Sequence, residues 1–151
     1  MEQIEQKTLR AWGDEVAQLE AQRRVLIREV ADAEWRVSKC LPSERADARL
    51  ELQNAQRELS EVLSRLQTAR LAYQKAECTI NGLRIARANL RAHLRPHGYF
   101  DQMVTLKAEA LRALPGGAAL LEAEYAAALD NKEKAARHVE QLERDIAGLE
   151  G

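Results

Sequence analysis

The chain has 151 residues and a net charge of −1; 31% of its residues are charged and only 4% are aromatic. One Phe, two Trp and three Tyr cannot fill a thick globular core, and a near-zero net charge supplies no global field to recruit nucleic acid or a membrane. The profile is that of long helices and coiled coils, with burial carried by Leu, Val, Ile and Ala.

No apolar run approaches the roughly 18 residues of a transmembrane helix. Met1-Glu2-Gln3-Ile4-Glu5 lacks the basic-then-apolar order of a signal peptide. A cytoplasmic setting is expected, or a virion or host cytoplasm for a viral or mobile-element protein.

The first predicted helix spans residues 3–40. Its apolar seam steps by three and four through Leu9, Trp12, Val16, Leu19, Arg23, Leu26, Val30, Ala33, Val37 and Cys40. Trp35 stands off the seam on the outer face, with Val25 and Ile27 partly off it. An exposed Trp there is a candidate binding anchor, unless the last helix covers it. Leu41-Pro42-Ser43 then breaks the pattern, because Pro42 disfavours helix at Leu41. Ser43 is the predicted N-cap of the next helix, with Glu44 and Asp47 in its first turn.

The second predicted helix, residues 44–94, dominates the chain. Its seam runs through Ala48, Leu52, Ala55, Leu59, Val62, Leu66, Ala69, Tyr73, Ala76, Ile80, Leu83, Arg87, Leu90 and Leu94, a heptad pattern. At about 1.5 Å per residue it would be roughly 75 Å long. The short break forces the two helices antiparallel. Pairing positions whose numbers sum to 85 sets Leu19 against Leu66, Val16 against Ala69 and Trp12 against Tyr73. Every seam position then meets a seam position. Arg23 would face Val62, with Glu58 and Glu61 in reach; it either acts as a register device or, like Arg87 and Lys132 in their seams, runs out of the seam edge to water. The fold would also set Cys40 and Cys78 about 50 Å apart, far beyond disulfide reach; both are read as small apolar residues.

From residue 71 onward a second face of this helix turns apolar, through Leu71, Cys78, Ile85 and Ala92, seven apart. The same face holds Arg57 and Ser64 earlier on. A helix apolar on two sides implies a second contact, either with the remaining helices or with another subunit.

Arg95-Pro96-His97-Gly98 ends the long helix. A short helix is predicted over 101–114, with Met103, Leu106, Ala110 and Leu114 on its apolar face. Pro115-Gly116-Gly117 is a turn. The last helix, 118–149, has a seam of Leu121, Tyr125, Ala128, Lys132, Ala135, Val139, Leu142, Ile146 and Leu149, widened by Leu120, Leu129 and Ala136; Gly148 and Gly151 suggest fraying at its end. The expected fold is all-α: a long antiparallel, coiled-coil-like helical hairpin, completed by a short helix and a C-terminal long helix into an elongated three- or four-helix bundle in a single domain.

Charge is uneven along the chain. No acidic residue lies between Glu77 and Asp101, where Arg84, Arg87, Arg91 and Arg95 supply +4. Residues 101–151 hold ten acids against six bases. The stretch is either an acid- or phosphate-binding patch or is balanced by the acidic final helix. His93 and His97 are four apart, but Pro96 intervenes and no third ligand is near in sequence, so no metal is expected. No nucleophile–base constellation or phosphate loop stands out, and neither an enzyme nor a cofactor is expected.

The leading expectation is a non-catalytic protein-interaction or assembly protein, self-associating as a dimer through Leu71, Cys78 and Ile85 or through the last helix. The alternative is a regulator that binds nucleic acid or an acidic partner protein through residues 84–97. The hairpin with Trp12 in its first helix, the basic end and the His97-Gly98 break also resembles the phage polarity-suppression proteins. That resemblance implies a helical dimer of phage origin that decorates capsids or inhibits a host factor; it leaves the last helix uncovered and assigns no residue a role. Secretion-system stalk proteins are similar in being long helical hairpins.

Overall fold

The computed structural model describes residues 7–114 and 119–151. Among these the structure is all-α, with four helices: α1 (Leu9–Lys39), α2 (Arg45–Leu94), α3 (Tyr99–Ala113) and α4 (Ala119–Glu150). The predicted start of the first helix at residue 3 and the Pro115-Gly116-Gly117 turn lie outside the described residues. Two compact units divide the chain, one up to Glu77 and one from Cys78 to Glu150. α2 contributes to both.

In the first unit α1 and the N-terminal part of α2 form an antiparallel hairpin. Thr8 caps α1, its hydroxyl oxygen accepting from the Ala11 amide at 3.2 Å. The predicted seams are the buried ones. Leu19 and Leu66, each 2% exposed, centre a cluster with Val62 and Ala69, against which Val16 and Leu26 pack. Leu19 with Leu66 and Val16 with Ala69 are partners of the predicted register. Large residues facing small ones let the two helices interdigitate closely. Two ion pairs lie close to the same register: Arg70 to Glu20 at 2.7 Å and Arg36 to Glu51 at 3.1 Å. Near the open end, a Cβ on Gly13 would lie 3.5 Å from the Tyr73 ring.

Arg23 is exposed, and Glu61 pairs with Arg57 one turn away on α2, at 3.4 Å. Of the two readings of Arg23, the long side chain leaving the seam edge for water is the one that holds. One detail differs from expectation. At the hairpin turn the Glu44 amide donates to the Leu41 carbonyl (3.0 Å), and the Glu44 carbonyl accepts from Ala48 (3.0 Å). Glu44 therefore precedes the first turn of α2, and Ser43, the predicted N-cap, sits within the loop.

In the second unit the C-terminal part of α2, α3 and α4 pack together. α3 and α4 run antiparallel, pinned by Lys107 to Glu124 at 2.8 Å and Lys132 to Asp101 at 2.5 Å. Lys132, the polar member of the α4 seam, thus reaches a carboxylate on α3. The α4 seam is as predicted, with Ala128, Ala135, Val139, Leu142 and Ile146 buried. α4 continues through Gly148 to Glu150, where fraying was expected; Glu150 is held there by an ion pair with Arg84.

The inner face of α3 departs from the predicted one. Leu106 and Leu114 point to solvent, and Phe100, Met103 and Lys107 line the groove against α4. The helix begins two residues before the predicted start, at Tyr99, which brings Phe100 onto the periodic face at three- and four-residue steps. Leu120 and Leu129, expected to widen the α4 stripe, are exposed as well.

The α2–α3 turn is built tightly. His97 carries the left-handed backbone (φ 69°), whereas the flexible residue, Gly98, has an ordinary φ of −71°. Gly98 is required for a different reason: a Cβ there would lie 2.5 Å from the His93 carbonyl oxygen and 2.7 Å from that of Ala92.

Candidate interaction surface

Within the second unit α2 has three environments around its circumference. Its seam, from Ile80 through Leu83 and Leu90 to Leu94, is buried or half-buried. On one flank Arg84 is ion-paired to Glu150 and Arg91 to Glu143, both on α4. The paired residues are seven apart on each helix and descend in opposite order, so this part of α2 and α4 are antiparallel. On the other flank, the His93 ring sits edge-on to Phe100 (centroids 6.0 Å apart) and Tyr99 (6.2 Å) of α3.

The third environment is the outer face. Cys78, Ile85 and Ala92 are all exposed there, Ile85 at 63%. Leu71, on the same helix within the first unit, is 60% exposed. Within the second unit, Cys78, Ile85 and Ala92 are therefore not covered by α3 or α4. The Cys78 thiol is free and exposed, and Cys40 is free and half-buried; only Cys40 fits the reading of a packed small apolar residue.

Sequence reading missed the composition of this face between its seven-spaced positions. Asn81, Gly82, Ala88 and Asn89 are also exposed, and each lies within about 60° of Ile85 around the helix, at 3.6 residues per turn. From Cys78 to Ala92 the outer face thus carries no charge. The signal was available in principle: every charged residue of that stretch is an arginine placed about 100° or more away.

The four arginines of the basic stretch are not equivalent. Arg84 and Arg91 are engaged by α4, which is the neutralised arrangement weighed from sequence. Arg87 is half-buried and Arg95 exposed, and among the described residues neither forms an ion pair. The stretch therefore does not present four free guanidiniums to a ligand. Arg87 occupies a seam position, where a long side chain can leave through the seam edge.

Trp35 is 64% exposed on α1. It borders a shallow groove at the hairpin turn with Arg36, Lys39, Glu44 and Glu51. Val25 and Ile27 are exposed farther along α1. Val25 lies beside a second groove, with Leu26 and Val62 at its base and Glu29, Glu58, Glu61 and Arg65 along its walls.

Among the described residues no polar or charged residue is buried, and no group of three His, Cys, Asp or Glu side chains is placed to hold a metal. No helix among them is long and apolar enough to cross a membrane. The hydrogen bond from Arg70 holds the Glu20 carboxyl below the ordinary glutamate value of 4.5. It is an exposed structural pair.

The fold defines an all-α helical protein. Comparison with known proteins finds no matching family model, curated protein or solved structure.

Proposed function

We propose that this chain is a non-catalytic interaction and assembly protein that presents helical surfaces to other proteins and self-associates, as a dimer, through the outer face of α2. The observation that carries this reading is the exposure of Ile85, with Cys78 and Ala92 beside it, on a helix whose other sides are occupied by its own unit. Apolar side chains at seven-residue spacing on an open helix face match the pattern by which helices meet a partner helix. Trp35 offers a second anchor of the kind enriched in protein interfaces.

Light scattering coupled to size exclusion, at low and high salt, tests it. The expected result is a dimer that persists at high salt, because apolar contacts are not screened. The expected effect of Ile85→Glu is a shift to monomer with helicity retained. A wild-type chain that stays monomeric at high concentration overturns the reading.

The alternative, a regulator of nucleic acid or of an acidic partner, has less support, since Arg84 and Arg91 are occupied by carboxylates. It predicts binding to DNA, RNA or an acidic protein that weakens steeply with salt and is reduced by Arg87→Gln with Arg95→Gln. No binding at low salt removes it.

A further inference from the structure

The strip of α2 from Cys78 to Ala92 is charge-free in a chain that is 31% charged, and its order of residues is symmetric about Ile85. Three residues to either side stand Gly82 and Ala88; four to either side, Asn81 and Asn89; seven to either side, Cys78 and Ala92. All seven positions are exposed. We propose that this strip receives the same strip of a second copy of the chain, running antiparallel, with a two-fold axis at Ile85. The inference rests on the self-association proposed above and adds its geometry.

A two-fold interface brings the same surface patch from each copy together. With the axis at residue 85, an antiparallel pairing sets each position opposite the one equally far from Ile85 on the other side. Ile85 then meets its own counterpart. Gly82 faces Ala88, and both are small enough to let the backbones approach closely. A Cβ built on Gly82 meets nothing within 4 Å, so the approach is open. Asn81 faces Asn89; each amide carries both donors and an acceptor, so the two can satisfy one another across the interface. Cys78 faces Ala92.

The flanks are already fixed by the second unit. Arg84 and Arg91 are drawn away to Glu150 and Glu143, and His93 is held against Phe100 and Tyr99. What reaches the strip must therefore tolerate an uncharged, small-residue surface with two amides and one apolar knob. A second copy supplies that surface in matching order.

Cross-linking separates the geometries. In the full-length chain carrying Cys40→Ser, Cys78 is the only thiol. A parallel pairing would set Cys78 beside the other copy's Cys78 and link it under mild oxidation. The antiparallel pairing separates those two thiols by about 21 Å along the helix, beyond disulfide reach. Adding Ala92→Cys to this chain is expected to give a disulfide-linked dimer at least tenfold faster than Cys78 alone. Peptide mapping should join the segment containing Cys78 to the segment containing position 92. Within one chain those two positions are too far apart along α2 to close. Ile85→Cys, in a chain also carrying Cys40→Ser and Cys78→Ser, is expected to link across the axis.

Equal linking through Cys78 alone overturns the antiparallel geometry. A dimer by light scattering in which neither Ala92→Cys nor Ile85→Cys links overturns the strip as the interface while leaving self-association standing. A monomer at every concentration overturns both. All substituted positions except Cys40 are exposed, and circular dichroism confirms that each variant is folded before it is oxidised.

Discussion

Arg91 on α2 and Glu143 on α4 form an ion pair, and one heptad along each helix Arg84 and Glu150 form another. The two rungs tie the basic stretch of the chain to the acidic final helix. They also turn two positive charges away from the outer face of α2. Both pairs are partly solvent-exposed, so each contributes little to stability, about 0.2–1 kcal/mol. Arg91→Glu should destabilise the fold by roughly 0.5–1 kcal/mol through like-charge repulsion, and adding Glu143→Arg should recover most of it. Denaturant titration at low salt checks this, and the difference between single and double variants should shrink at high salt.

The α2–α3 turn divides two tasks between neighbouring residues. His97 holds the left-handed backbone, which costs a non-glycine residue about 1 kcal/mol. His97→Gly should therefore be neutral to stabilising, with the relief of strain set against the added freedom of the unfolded chain. Gly98→Ala should destabilise by about 2 kcal/mol or more, since its Cβ would press into three backbone carbonyl oxygens. Thermal melts should show a clear drop for Gly98→Ala and no drop for His97→Gly.

Gly13 sits inside α1, where glycine costs about 1 kcal/mol relative to alanine. A Cβ there would make an ordinary contact, 3.5 Å from the Tyr73 ring. Gly13→Ala should raise stability by about 1 kcal/mol, read as a higher denaturant midpoint at unchanged slope.

The Glu20–Arg70 pair should leave a signature in acid. The hydrogen bond from Arg70 lowers the Glu20 pKa below its ordinary value of 4.5. A depressed folded-state pKa means that the pair stabilises the fold above the unfolded value and loses that contribution as pH falls through the folded one. Stability measured from pH 7 to pH 3 should fall less steeply below pH 4.5 for Glu20→Gln than for wild type. Parallel curves for the two proteins would show that the pair carries no linkage.

Much of this fold was legible along the chain. The seams of α1, α2 and α4 are periodic, and periodicity fixes the angle of each residue around its own helix. The breaks at Pro42 and Pro96 are local steric facts. A three-residue break between two long seams allows only an antiparallel hairpin, and its register then follows by counting, as the cluster of Leu19, Leu66 and Ala69 bears out. α3 was less legible, because on a helix of 15 residues each face has only three or four members, too few for spacing to choose between adjacent stripes; Leu106 was assigned inward with Met103, whereas Phe100 and Lys107 share the Met103 face.

Tertiary structure decided what spacing cannot express. The sequence placed Leu71, Cys78, Ile85 and Ala92 on one side of α2, but their angle around the helix says nothing of which neighbour arrives on that side. It placed Arg84 and Arg91 in a basic stretch without showing that Glu150 and Glu143, more than fifty residues away, would meet them. Those outcomes depend on where α4 returns across the second unit, and a returning helix obeys the packing of its whole seam rather than the preference of any one residue it passes. Packing that seam covered one side of α2, engaged its arginines, and left the charge-free strip around Ile85 in solvent.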